Sequence, residues 1–519
     1  MNAAAAPPFK EVKHRGLITV SVMAAMIMQI LDTTIANVAL PHMQTSLGAA
    51  QDTITWVLTS YIVAAAIATP ITGWLSDNIG RKRLFMICVV GFVAASALCG
   101  TAFNLTEMVI FRLLQGAFGA ALAPLSQSVI MDINPRERQG QAMAIWGAGS
   151  MVAPIVGPTI GAWLTDDFNW RWVFYINVPI GILALLGIYF FMPDTVRRIR
   201  RFDFFGFAML SIAVGALQFM LDRGQQRDWF QSTEIVIEFG LTIAAAWVFI
   251  IHTATDREPF LDSRLFRDQN FAAALIFMFA IGIILLATMA LLPPMLTSLF
   301  GYPVITVGWV LAPRGVGTMI SMLVVGRIVR RIDPRILCLF GLGLTALSLY
   351  QMTFFSLEMS FWPIVWSGII QGFGLGFVFI PLSTVAFMTL DPRLRTEATG
   401  LFNLVRNLGS SIGISIMATM LSRNIQIGHS VLAGYVTPFN ENLSAAGFNT
   451  ATFPLAVGQQ SAAQLDGLIT VQAMMISYLD DFKLMFIITL CAAPLLLFLR
   501  YRPLPMMASA PPAAAAMAD

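Results

Sequence analysis

Fourteen apolar runs, most of them close to 20 residues long, leave this chain little choice of solvent. They fall at about 17–40, 53–75, 84–103, 107–131, 141–164, 173–192, 204–221, 233–252, 270–292, 304–326, 336–356, 363–388, 396–419 and 482–500. A helix of about 20 predominantly apolar residues spans the hydrocarbon core of a bilayer. Only 11% of the residues are charged, against about 25% in soluble chains. The chain therefore reads as an all-α integral membrane protein with the lipid bilayer as its solvent. Its first run is too long for the apolar core of a signal peptide and is interrupted by Asp32, so it is expected to be retained as a spanning helix. Cys88, Cys99, Cys338 and Cys491 sit in apolar runs at irregular spacing, which suggests neither disulfides nor a metal site.

Charge placement sets the orientation. KEVKHR at the N-terminus, RKR at 81–83, RRIRR at 197–201 and RIVRR at 327–331 fall on alternate loops. Those loops and the two ends hold about 23 of the 31 Lys and Arg residues. Basic loops stay on the cytoplasmic side, so both termini (1–16 and 501–519) are expected there, which requires an even number of spans. On the outer side two loops are long: 222–232, and 420–480, whose Asn, Gln and Ser content reads as a solvated external segment. The Ala/Pro-rich tail after Pro503 reads as disordered.

The chain also repeats itself. QGAFGAALAPLSQSVIMDINPRERQGQA from Gln115 matches QGFGLGFVFIPLSTVAFMTLDPRLRTEA from Gln371, an offset of about 256 residues. Gln-Gly, a mid-helix Pro (Pro124, Pro381), a Ser two positions on, and Pro-Arg-x-Arg all recur. Six helices (17–203) thus repeat as six (270–500), with helices 7 and 8 an inserted hairpin within 204–269. Two like halves in parallel register suit a transporter whose substrate site lies between them.

At this point the motifs are specific. GWLSDNIGRKRL, with Gly73, Asp77, Gly80, Arg81, Lys82 and Arg83, resembles the signature loop of the major facilitator superfamily. GSMVAPIVGPTIGAW, through Gly149, Pro154, Gly157, Pro158 and Gly161, resembles its helix-5 antiporter motif, with Ala162 in place of a second glycine. LDTTIANVALP is similar to helix 1 of the 14-helix drug:proton antiporters, the EmrB/QacA type, and WRWVFYINVPIG and LDRGQQRDWFQS lean toward the EmrB-like branch. The resemblance implies the major facilitator fold, an inner-membrane location and export of toxic organic compounds in exchange for protons. It also implies a periplasmic adaptor and an outer-membrane channel as partners.

Membrane-embedded charges carry the expected mechanism. By rise along the helix, Asp32 lies roughly 12 Å and Arg112 roughly 9 Å from the outer ends of helices 1 and 4. If the two face each other, the guanidinium favours the carboxylate while burial favours the neutral acid. The pair would then couple proton binding to helix motion. Thr33, Gln115, Ser126, Gln127, Arg314 and Arg406 are expected to line the substrate cavity. Gly73 to Arg83 would act as a conformational loop, and the Gly/Pro run of helix 5 as a tight packing surface. Glu238 and His42 read as interfacial charges. The leading function is proton-coupled efflux of amphipathic compounds, cationic ones included; the alternative is export of a specific endogenous metabolite or siderophore. No nucleophile–His–acid set and no P-loop occurs, so neither an enzyme nor an ATP-driven pump is expected. No cofactor, metal or nucleic acid is implied.

Overall fold

The computed structural model describes residues 13–50, 53–135, 138–195, 197, 201–256, 258–329, 331–391, 394–436 and 459–500. Among the described residues thirteen helices are long and apolar enough to cross a membrane, and a bent pair counted as one span makes the fourteenth. They are α1 (Arg15–Ser46), α2 (Trp56–Ala68 continued by Thr72–Ile79), α3 (Arg81–Thr101), α4 (Leu105–Asp132), α5 (Gln139–Asp167), α6 (Trp172–Phe191) and α7 (Phe204–Arg223). They continue with α8 (Thr233–Thr255), α9 (Gln269–Ser298), α10 (Val304–Ile328), α11 (Pro334–Met352), α12 (Trp362–Met388), α13 (Arg395–Tyr435) and α14 (Gln459–Ala492). α2 is bent by 57° where its two pieces join.

Helices α1–α6 and α9–α14 form two six-helix bundles, with α7 and α8 inserted between them. α8 has few buried residues and turns Trp247, Ile250 and Ile251 outward, the pattern of a helix solvated by lipid. The signature loop has a backbone reason for its glycines. Gly80 sits at φ 91° between α2 and α3, a left-handed turn that favours Gly over any residue with a Cβ. At Gly73 a Cβ would stand 2.9 Å from the Cα of Glu397. That position therefore admits α13 of the other bundle against α2.

One expectation fails. The 420–480 segment is not a plain external loop: α13 continues unbroken to Tyr435 and α14 begins at Gln459. The two extensions pair, with His429 Nε2 2.9 Å from Asp466 Oδ1. The stretch 437–458 and the tail after Pro503 lie outside the described residues. Hydropathy marks where a helix is wetted by lipid, not where it ends, and paired polar helices continue past that boundary.

The bundles touch at the end that carries the signature loop. There Asn403 Nδ2 donates to Gln127 Oε1 (3.1 Å) and Thr399 Oγ1 to the Pro124 carbonyl (3.3 Å). Arg395 Nη1 donates to Asp132 Oδ1 (2.9 Å), whose other oxygen pairs with Arg81. At the far end α7 contacts both bundles. Asp222 Oδ2 accepts from Thr59 Oγ1 of α2 (2.5 Å), the Leu221 carbonyl from Ser415 Oγ of α13 (2.9 Å), and Thr419 Oγ1 from Trp229 Nε1 (3.1 Å).

Candidate functional site

Asp32 is fully buried in the middle of α1, in a cluster to which five helices contribute. Its Oδ2 accepts from Arg112 Nη1 of α4 at 2.6 Å. Its Oδ1 accepts from Gln115 Nε2 of α4 and Asn177 Nδ2 of α6, each at 2.8 Å. Arg112 Nη1 also donates to Gln115 Oε1 (2.8 Å), and its Nε to the Val57 carbonyl of α2 (3.0 Å). The guanidinium carbon lies 4.4 Å from the centre of the Tyr61 ring. Asn177 Nδ2 donates in addition to Ser96 Oγ of α3 (2.9 Å), which donates to the Phe174 carbonyl (2.9 Å).

The arrangement follows from the cost of burying charge. An unpaired carboxylate in an apolar interior costs several kcal/mol even after relaxation. At 4 Å and an effective dielectric near 20, an opposite charge returns about 4 kcal/mol. The carboxamides of Gln115 and Asn177 occupy remaining lone pairs, which makes a buried pair tolerable. Removing the charge of either partner would leave the other buried without its main electrostatic partner.

The other predicted positions are distributed differently. Thr33 Oγ1 donates to the Ile30 carbonyl of its own helix. Ser126 and Gln127 are fully buried. Ser126 Oγ accepts from Trp146 Nε1 (2.9 Å), and Gln127 is held by Asn403 across the bundle contact. Ser126 is thus satisfied within its own bundle, and Gln127 bonds to a residue of the other. Arg314 is 6% exposed and donates to the Leu285 carbonyl (3.2 Å). Arg406 is half-buried on α13, with Asn407 Oδ1 3.4 Å from its Nη2.

Arg81 N donates to Thr195 Oγ1 (2.9 Å), while Gly80, Lys82 and Arg83 line a shallow pocket with Asp194, Thr195 and Arg197. Asp77 is half-buried on the last turn of α2. In α5 the space beside Gly149, Gly157 and Gly161 is taken by Met23, Thr34 and Ile35 of α1. Pro158 and Thr159 lie against Gly308 of α10. Pro154 is half-buried just after the bend at Met151. Glu238 keeps one buried oxygen without a hydrogen bond, and His42 Nε2 lies 3.9 Å from Asp166 Oδ1 at the surface.

Three participants escaped the sequence reading: Asn177, Tyr61 and Ser96. Asn177 had a signal, as a lone carboxamide in the apolar stretch WVFYINVPIGILALL. Asp481 also escaped, because it fell between the segment expected to be solvated (420–480) and the last expected helix (482–500). It is fully buried in α14, and neither oxygen has a hydrogen-bond partner.

Comparison with known proteins now bears on the assignment. The family model described as Major Facilitator Superfamily matches residues 22–414. The chain belongs to that superfamily. Within it the chain is of the EmrB type: it is 36% identical to the multidrug export protein EmrB of Escherichia coli (strain K12) over 83% of this chain and 84% of the relative. It is 35% identical to the fatty acid resistance protein FarB of Neisseria gonorrhoeae, covering 85% of this chain and 88% of that one. In fold it is similar to the crystal structure of the human organic anion transporter MFSD10, with TM-score 0.59 at 16% identity, covering 92% of this chain and 99% of that one. The protein is thus a multi-pass membrane transporter of small molecules, not an enzyme.

Proposed function

We propose that this transporter exports amphipathic toxic compounds across the inner membrane in exchange for protons, by alternating access of its two bundles. The observation that carries the reading is the cluster around Asp32: one carboxylate, one guanidinium and two carboxamides buried together between α1, α4 and α6. Intramembrane ionisable residues of this kind mark proton and substrate pathways. The names of the EmrB and FarB relatives support the export of toxic organic molecules.

In this scheme both termini are cytoplasmic and the tight bundle contact closes the cytoplasmic side. Asp32 takes a proton from outside, which cancels its attraction for Arg112. The freed guanidinium and the altered hydrogen bonding favour rocking toward the inward-open form, where the proton leaves. The Gly/Pro face of α5 stays packed against α1 and α10 and denies protons a bypass. The signature loop holds the cytoplasmic contact through Gly73 and Arg81. A periplasmic adaptor, with an outer-membrane channel beyond it, would find the paired ends of α13 and α14 as its landing surface.

The test is Asp32→Asn in everted vesicles and in an efflux-deficient host. The expected result is normal expression with resistance and substrate-evoked proton release both at background. Undiminished resistance in that variant would overturn the coupling. Protection against one compound only, in a panel of unrelated dyes and acids, would replace multidrug export by export of a specific metabolite.

A further inference from the structure

The C-terminal bundle encloses an acid of its own. Asp481 of α14 is fully buried, and among the described residues neither of its oxygens has a hydrogen-bond partner. Met485, one turn away on the same helix, lies 3.5 Å from Thr288 of α9. Asp481 therefore sits about 6 Å from that level, toward the polar ends of α13 and α14. The side chains beside it on α14, Tyr478, Phe482 and Met485, belong to an apolar core shared with Leu292 of α9, Leu349 of α11 and Met417 of α13. The hydroxyls on these helices turn to their own backbones: Ser477 Oγ donates to the Ala473 carbonyl (2.7 Å) and Thr288 Oγ1 to the Ile284 carbonyl (2.8 Å).

α14 packs on α9, α11 and α13, and no cation on any of them bonds to the acid. α9 contains no titratable residue. α11 carries Arg335 and Cys338 in its first turns, and Tyr350, whose exposed ring lies against Phe486. On α13, Arg395 and Glu397 are engaged at the base, and His429 pairs with Asp466 near the other end. The Arg406 carbonyl packs against Gly282, six positions and about 9 Å along α9 from Thr288, on the side away from Asp481. Arg423 and Tyr435 are exposed, as are Asp466, Asp480, Lys483 and Cys491 of α14 itself. The buried Tyr478 makes no hydrogen bond to the acid.

A carboxylate buried with neither donor nor cation is far costlier than the neutral acid. A proton removes that charge, and it is the one ligand small enough to reach oxygens enclosed on all sides. We propose that Asp481 is a proton-binding site separate from the Asp32 cluster, occupied while α14 packs on α9, α11 and α13 and vacated when those helices part. On parting, the O–H bond breaks and the proton passes to entering water, which hydrates the carboxylate left behind. On closure the carboxylate takes a proton back from water. The packed form holds one proton more than the parted form, so raising the pH favours parting and lowering it favours packing. α14 carries one of the two paired polar extensions, so acidity sets how firmly that extension is rooted. The site does not rest on the exchange proposed for Asp32.

The experiment is amide hydrogen exchange across a pH series, on the full-length protein in nanodiscs, in peptides covering 474–492, with each rate divided by its intrinsic rate at the same pH. In the unmodified protein, protection is expected to fall by up to about tenfold per pH unit. In Asp481→Asn and Asp481→Leu it should stay high and independent of pH. Protection that does not change with pH in the unmodified protein overturns the proposal whether or not a variant folds. An unaltered pH dependence in either Asp481 variant does the same. So does poor protection of both variants at every pH, which is the signature of an ionised structural acid. Loss of the dependence in Asp32→Asn alone would assign the proton to the other bundle and remove this site. Gradient-driven efflux of ethidium from proteoliposomes separates the two readings. Flat protection with efflux intact removes the site and leaves the exporter standing, whereas pH-dependent protection with efflux absent keeps the site and removes the exchange.

Discussion

At the level of Asp32 the two bundles solve the same packing problem with different chemistry. The offset that carries Gln115 to Gln371 carries Asp32 to Thr288 and Arg112 to Gly368. The glutamine contact survives: Gln371 Nε2 donates to Thr288 Oγ1 at 3.3 Å, as Gln115 Nε2 does to Asp32. Where Asn177 reaches Asp32 from α6, Met485 of α14 lies 3.5 Å from Thr288. The space beside Gly368 is met by the Cβ of Arg314, supplied from a different helix. The shared feature, a carboxamide tying the fourth helix of each half to the first, is what the architecture needs. The carboxylate and its pairing with a guanidinium are additions made in one half alone, so packing does not account for them.

That contrast can be broken in several ways. The largest effect is expected for Asp32→Asn, which keeps the shape and removes the charge: gradient-driven efflux in vesicles should fall to background. Persisting efflux would mean the two halves are functionally alike after all. Arg112→Gln leaves a buried carboxylate without its cation and should cost about 3–5 kcal/mol in stability, read as a lowered thermal midpoint. Asp32→Asn combined with Arg112→Gln should recover most of that stability but not transport, and a double variant as unstable as the single would contradict an electrostatic origin.

Asn177→Leu removes a hydrogen bond to a charged group and should cost about 1.5–3 kcal/mol, whereas Met485→Leu on the matching helix of the other half should fall near zero. Equal losses from the two would sink the comparison. The smallest effect belongs to Thr288→Val. One neutral hydrogen bond is at stake, about 1 kcal/mol, and transport should continue. A transport loss comparable to that of Asp32→Asn would show that the C-terminal cluster takes part in coupling.

Much of this was readable from the chain because lipid simplifies the problem. Apolar run length gave the fourteen helices, and counting residues from helix ends put Asp32 and Arg112 at one depth. What depth does not provide is azimuth. Ser126 and Gln127 were expected to face a cavity, but depth alone did not foretell that Ser126 meets Trp146 of its own bundle and Gln127 meets Asn403 of the other. Asn177 was passed over because a carboxamide barely perturbs hydropathy, although in the fold it is the one side chain that joins α6 to the acid. The ends of α13 and α14 were misjudged for the converse reason. Their polar ends are held by each other, through contacts such as His429 with Asp466 and Gly428 beside Ala473.

The unbroken run of α13 has a mechanical corollary. Its 41 residues amount to about 60 Å of continuous rod, roughly twice the hydrocarbon thickness. Its base is clasped to α4 through Arg395 and Asp132, so small angular changes at that foot are magnified at the tip. Under the proposed alternating access, any body resting on that tip would be displaced each time the bundles rock.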